Sequence, residues 1–545
     1  MRKFILIPAL VVFSLAGLRA QNNVGIGTNS PNSNALLDIS SSTKGMLIPR
    51  TSTATRVTIP AVKGLLVYDT SSSSFWFNEG TNWIESLNSN NGWGIKGNTN
   101  TDPALNYFGT GDNKPIRFRL NNTPAGQWNH STGNYAIGYN ATSNTTTGLN
   151  NVAIGHQALF SNIGGSENTV LGYSAGYYNT TSYLVAIGSY SGANNSTGNL
   201  NTFIGTSAGR TNSTGSNNTF LGINTGFNSN ADGNTFIGSE TGKTNSSGNY
   251  NSIVGTNAFS SNTTGGNNSA LGKEALFANI SGGGNTSIGT AALRTNTTGA
   301  ENTAIGYQSA YSNNTDYMVS VGSYSGYSNT SGTWNTFIGT SSGRINSTGD
   351  NNTMVGLNSG QNSNGSNNTF IGTLSGNTNL IGSNNVTLGY NAQAGAAFGN
   401  AIAIGANASV TQSNSMALGG TGGNAVKVGI GTTAPQATLE VNGYTMLGSA
   451  SPKIQTKKIT GTSPSTQGGV VTIAHGLNSD KILSVNILIE EAPDYYFPES
   501  YGATGLPNRE FYYFINPTHI SIQAHATNSS LILSKPLKIF IIYEQ

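Results

Sequence analysis

Asn201-Thr202-Phe203-Ile204-Gly205 is followed by Asn218-Thr219-Phe220-Leu221-Gly222 and then by Asn234-Thr235-Phe236-Ile237-Gly238. Near-copies at so short and regular an interval mark a repeat architecture, whose units bury little alone and gain stability by stacking. The motif glycine recurs eighteen times from Gly138 to Gly419, at steps of 17 or 16 with a last step of 14. A longer register overlies this one: Gly188, Gly205, Gly222 and Gly238 map onto Gly322, Gly339, Gly356 and Gly372, with one constant offset between the members of each pair. A block of eight coils has been duplicated.

Around each glycine the residues alternate in character, as in a strand whose successive side chains point to opposite faces. The position before the glycine is always Ile, Leu or Val, and the position three before it is mostly Val, Thr or Ser. These two columns are expected to line the solenoid interior. The column between them is expected to face outward, and Phe203, Phe220, Phe236, Phe337, Met354 and Phe370 within it are candidate contacts between the chains of a trimer. Asn stands four before the glycine in fourteen of the eighteen coils, from Asn134 to Asn385. That recurrence implies stacked amides and a tight, left-handed corner. Segments such as Ser213-Thr214-Gly215-Ser216-Asn217 are turn formers. The expected fold is all-β, a parallel solenoid of about 18 coils, on the order of 85 Å long at ~4.8 Å per layer.

The strings Asn151-Val152-Ala153-Ile154-Gly155 and Asn302-Thr303-Ala304-Ile305-Gly306 resemble the head repeat of YadA-type trimeric autotransporter adhesins. The resemblance spans about residues 134–420. It implies a left-handed parallel β-roll, a homotrimer, and display at the cell surface for attachment to host matrix or other surfaces. These coils, with their period of 16 or 17, are longer than the family's, and nothing in the sequence resembles its coiled-coil stalk or membrane barrel. Self-transport and anchoring are therefore not carried over.

The solenoid is bracketed by one repeated element. Val24-Gly25-Ile26-Gly27-Thr28 before Ser30-Pro31 returns as Val428-Gly429-Ile430-Gly431-Thr432 before Ala434-Pro435. Both copies resemble the connector of phage tail fibres and bacterial surface proteins. Residues 45–84 read as a β-hairpin with aromatic cross-strand packing, and Trp76 and Trp83 are candidates either for stacking on sugar rings or for core and trimer packing. Beyond residue 448 Asn and Gly give way to charges, Tyr and Phe, with strands expected at 453–460, 469–475, 482–490, 510–515, 518–526 and 537–543. Their spacing suits a β-sandwich-like tip domain. Its aromatic stretch, with Tyr495, Tyr496, Phe497 and Tyr501, is a candidate binding loop or a trimer interface. The organisation read from the sequence is 1–20 signal peptide, 21–133 N-terminal β modules, 134–420 solenoid, 421–447 connector and 448–545 tip domain.

Met1-Arg2-Lys3, an apolar run from Phe4 to Gly17, and Leu18-Arg19-Ala20 before Gln21 form a secretory signal, which predicts an extracellular or outer-surface location. That run is shorter than the roughly 20 residues a membrane-spanning helix needs. There is no cysteine, which excludes disulfides, thiolate metal sites and a lipidated N-terminal cysteine. With 545 residues, 72 of them glycine, only 8% charged and a net charge of +3, the chain fits neither charge-driven disorder nor a basic nucleic-acid-binding surface.

Enzyme chemistry has little to stand on. The Gly-x-Gly connectors lack the third glycine and the following helix of a dinucleotide site, so no nucleotide is expected. His519 and His525 share a strand face but are too far apart to ligate one metal, about 20 Å at strand rise. No carboxylate recurs in register along the coils, which leaves paired acids or a repeated calcium motif unsupported. No cofactor is expected. The function expected is an exported trimeric adhesin or fibre whose rod presents binding modules to glycan or protein surfaces. One alternative is a phage-type receptor-binding fibre, for which a cleaved signal has no use. The other is an ice-binding solenoid, which needs an outward threonine array where the column above offers Phe and Ala.

Overall fold

The computed structural model describes residues 22–86, 102, 108–145, 147–446, 448, 451, 453–498 and 507–545; the signal segment and Tyr501 lie outside them. The chain divides into two compact units, Met1–Gly111 and Asp112–Gln545.

In the second unit, parallel pairing joins sixteen consecutive strands from Asn134–Ile137 to Val386–Leu388, then Ala401–Ile404 and Ser415–Leu418. These eighteen rungs are the eighteen glycine motifs, each in the same register; Thr202, Phe203 and Ile204 sit beside Thr219, Phe220 and Leu221. The antiparallel hairpin Ile116–Leu120 and Thr123–Asn129 pairs with the first rung. It covers an edge that would otherwise offer free backbone groups to another strand. At the strand's end the chain turns at the motif glycine. Gly205 has φ +131°, and a Cβ there would stand 2.3 Å from the carbonyl oxygen of Gly222 in the next coil.

The faces are inverted relative to the sequence expectation. Phe203, Phe220, Phe236, Phe337, Met354 and Phe370 are fully buried inside their own chain, while the Ile, Leu and Val before the glycine are partly exposed. The candidate trimer-contact column is therefore the core. Its rings stack along the axis, Phe203 on Phe220 and Phe220 on Phe236 at 5.1 Å each. Room for them comes from the opposite wall, where Gly209, Gly226 and Gly242 face the rings. A Cβ on Gly226 would lie 2.5 Å from Phe220. Where the strand residue is small the wall residue is large, as in Ala153 with Leu159, Ala270 with Leu276 and Ser287 with Leu293. Each layer thus holds about one large side chain, supplied by one wall or the other.

Two asparagine columns complete the interior. Asn134, Asn151 and Asn168 stack so that each backbone N–H and side-chain amide donates to the Oδ1 of the preceding coil, at 2.9 and 3.1 Å for Asn151 and 3.0 and 2.9 Å for Asn168. The expected ladder exists, but these residues are not the left-handed corner. Positive φ belongs to the residue before each, at Asn150, Glu167, Leu200 and Asn217. A second ladder lies among the turn formers: Asn262, Asn279 and Asn296 donate to the Oδ1 of Asn245, Asn262 and Asn279 at 2.6, 2.8 and 3.0 Å. The first ladder is interrupted at Leu184 and Met318, whose backbone N–H groups still take the Oδ1 of Asn168 and Asn302.

The last hundred residues form two antiparallel sheets. One has the order Thr445–Met446, Lys453–Thr462, Pro536–Glu544, Ile482–Ala492, Tyr495–Pro498; the other Val470–Ala474, His519–Ala524, Phe511–Ile515. Ile487, Ile489, Phe511, Ile520, Ile522, Ile539 and Ile541 make one contiguous core. All six strands expected from the sequence are present. Two more join them, Thr445–Met446 and Tyr495–Pro498, and the second replaces the expected aromatic loop.

Candidate functional site

Inversion of the core leaves a different apolar surface outward. On each rung the residues flanking the buried column, such as Thr202 and Ile204 or Thr336 and Ile338, face solvent in the single chain. Ile154 is 39% and Leu271 53% exposed. Repeated over eighteen rungs, this is a two-column strip, one column of Ile, Leu and Val throughout and the other mostly of Thr and Val, with Ser252, Ser269, Tyr135 and Met416 among them. A strip of that extent is rarely left bare on a soluble protein.

The connectors carry the same message on a smaller scale. Val24–Ile26 pairs in parallel with Leu37–Ile39, and Val428–Ile430 with Leu439–Val441, in identical register. Each is tied by a carboxylate accepting from backbone: Asp38 from the N–H of Asn32 at 2.8 Å, and Glu440 from that of Gln436 at 2.6 Å. Ile26 and Ile430 are more than half exposed. Two-stranded sheets are at best marginal alone, so apolar side chains bared on both need cover from elsewhere.

In the N-terminal hairpin Trp76 and Trp83 lie beside a buried arginine, while Phe75 and Phe77 are exposed. Arg56 and Asp69 form a buried ion pair at 2.8 Å. Burial pushes the Asp69 carboxyl up, but Arg56, the Thr53 hydroxyl and the N–H groups of Ser71 and Ser72 outweigh it and hold the pKa at about 2. The Arg56 guanidinium lies 3.5 Å from the ring centre of Trp76 and 5.9 Å from that of Trp83. One face of Trp76 is thus already occupied, and its Nε1 donates to Ser72 and Ser74. Of the two open alternatives for these tryptophans, packing fits this geometry.

In the tip domain Tyr495, Tyr496 and Phe497 alternate along the edge strand. Phe497 is buried beneath Arg509, which is held by Glu491 at 2.6 and 2.8 Å; Tyr495 is well exposed. Tyr496 donates to Glu490 and meets Lys538. His475 is buried, accepting from the N–H of Leu477 at Nδ1, with its Nε2 3.0 Å from the carbonyl of Asn516. Among the described residues no group of three or more His, Asp or Glu gathers to hold a metal, and no helix is long and apolar enough to cross a membrane.

Sequence reasoning missed a third surface, on the far side of the motif glycine from the strand. One, two and five residues after the glycine, aromatic and cationic side chains stack up the rod. Tyr139, His156 and Tyr173 follow one another at 5.1 and 5.2 Å, and Phe160 stacks on Tyr177 at 4.9 Å. These positions follow the glycine, outside the strand to which the alternation argument was applied.

Residues 25–102 match the family model of a phage tail like trimerisation region. No curated protein and no solved structure matches the chain. A trimerisation region ahead of a parallel β-solenoid is the build of a tail-fibre-like trimeric fibre, and it supports self-association of the chain as a homotrimer.

Proposed function

We propose that this chain is an exported trimeric fibre for attachment, in which three solenoids associate side by side through the outward Thr/Val-x-Ile/Leu strip and the connectors. The observation that carries this reading is the strip itself: an apolar surface in register over eighteen rungs, in a chain whose N-terminal part matches a trimerisation region. The resemblance of the repeat to YadA-type heads supports an adhesive role, and the secretory pattern of residues 1–20 supports export and argues against assembly inside a virion-producing cell.

Sedimentation of the mature chain tests it. The expected result is a trimer, converted to monomers with unchanged β-sheet circular dichroism when Ile204, Leu221 and Ile237 are all replaced by Glu. A wild-type monomer overturns the proposal. N-terminal sequencing of the secreted protein is expected to begin at Gln21; retention in the cytoplasm unprocessed overturns the export claim.

The strip also revives the ice-binding alternative, because threonine, which the middle column holds only at Thr387, is prominent in the outward one, at Thr169, Thr202, Thr219, Thr235, Thr286, Thr303, Thr336, Thr353 and Thr369. A trimer that buries this face excludes it. A monomer that shapes ice crystals establishes it.

A further inference from the structure

The eight-coil duplication preserves one surface constellation. In the first copy Tyr173 meets Tyr190 edge to face at 5.2 Å, and the Arg210 guanidinium lies 4.6 Å from the Tyr190 ring centre. In the second, Tyr307 meets Tyr324 at 5.3 Å and Arg344 lies 5.1 Å from the Tyr324 ring. Each residue is displaced by the same offset that relates the two sets of motif glycines. Tyr173 and Tyr307 are 46% and 47% exposed. The phenols of each pair also act on one another: Tyr173 raises the Tyr190 hydroxyl above its ordinary pKa, and Tyr324 raises that of Tyr307.

The arginines set these platforms apart. Arg56, Arg294 and Arg509 are each paired with a carboxylate, at 2.8, 2.7 and 2.6 Å. Among the described residues Arg210 and Arg344 have no carboxylate partner. No Asp or Glu occurs at all from position 168 to 231. A planar guanidinium parked on a ring, with its outer N–H groups free, is arranged to take an oxyanion bidentately. The exposed parts of Tyr173 and Tyr307 beside it offer an apolar seat for a flat, partly apolar ligand, although one face of Tyr173 is already stacked on His156. Both platforms lie beyond the motif glycine from the apolar strip, and eight coils separate them, about 38 Å at ~4.8 Å per layer. A single small anion gains nothing from that spacing, but a polymer lying along the rod engages both.

We propose that these two platforms are subsites for an acidic polysaccharide, in which sugar rings stack on Tyr173 and Tyr190, and on Tyr307 and Tyr324, while a carboxylate or sulfate pairs with Arg210 and Arg344. This names the ligand class for the attachment function and rests on that reading. The repeat of the platform supplies avidity, and three chains multiply it.

The test uses the mature full-length chain in affinity electrophoresis through gels containing polygalacturonate, dextran sulfate or neutral dextran. Retardation by either charged polymer and none by neutral dextran is expected, and the two distinguish uronate from sulfate as the anion. Retardation should fall with salt, as exposed charge pairs do. R210S or R344S alone should weaken the interaction roughly a hundredfold through loss of linked binding, and the double variant should abolish it. Y173A with Y307A should weaken it with the charge intact, which a merely electrostatic surface would not do. Equal retardation by neutral dextran, retention of binding in the double arginine variant, or no retardation of the wild type by either charged polymer overturns the proposal. Sedimentation of the same samples separates the two readings: a trimer that binds no polymer defeats the platform alone, whereas a monomer defeats the fibre.

Discussion

The solenoid and its flanking modules hold themselves together differently. In the solenoid each layer has about one large apolar side chain, and uncharged amide ladders run beside it. The flanks are conventional: a contiguous aliphatic core in the tip domain, and a buried arginine–carboxylate pair in the N-terminal hairpin. The solenoid is therefore a chain of nearest-neighbour contacts, where damage is felt locally, and the flanks are cooperative bodies that fail as wholes. Amides also do not titrate, so the ladders should be indifferent to acid where the hairpin is not, and the solenoid's own lowered carboxylates, Glu240 beside Lys243 and Glu274 beside Arg294, are partly exposed pairs of small effect.

The largest effect should come from the core columns. Phe220→Ala removes a ring stacked between two others and leaves a cavity, at a cost of about 3–5 kcal/mol. Hydrogen exchange should quicken between Gly205 and Gly238 while distant coils stay protected. Ile539→Ala in the tip domain should cost about 2–5 kcal/mol but speed exchange in every strand of both sheets. Uniform loosening along the solenoid would break the distinction.

Next comes Asn251→Ala. It strands the backbone N–H of Asn268, worth about 1–3 kcal/mol when left buried and unpaired, while the Oδ1 of Asn234 keeps the backbone N–H of residue 251 and the carbonyl of Gly265 keeps the amide of Asn262. The loss should again be confined to adjacent coils in hydrogen exchange. Asp69 gives a pH signature of roughly 2 kcal/mol, because its folded pKa of about 2 lies below the ordinary 3.8. That contribution is fully present above pH 4 and is lost as pH falls toward 2. Tryptophan fluorescence of the hairpin should report it, Asp69→Asn should flatten it, and the solenoid's circular dichroism should not change over the same range. The smallest effect is Thr219→Ser on the outward strip, within about 0.5 kcal/mol by thermal unfolding.

The repeat, its eighteen rungs, the corner glycine, the first asparagine ladder and the strands of the tip domain were legible in the sequence because they depend on period and composition. Which face of the strand turns inward was not, since alternation states that two faces differ and is silent on which is buried. The deciding signal lay outside the strand, in the exchange between Phe203 or Phe220 and the glycine six residues later, and between Ala153 or Ala270 and a leucine at the same place. The second ladder hid among the turn formers, where Asn is ordinary. Trp76 stayed open between sugar stacking and packing because its partner, Arg56, stands well before it in the chain, on another element.

The two gaps in the first ladder, at Leu184 and Met318, have a mechanical meaning. They divide the amide stack into runs of Asn134–Asn168, Asn201–Asn302 and Asn335–Asn385. A solenoid pulled along its axis should yield at those two joints first. It would release length in blocks and shed load stepwise, so that a pull sufficient to open one joint leaves the remaining runs intact.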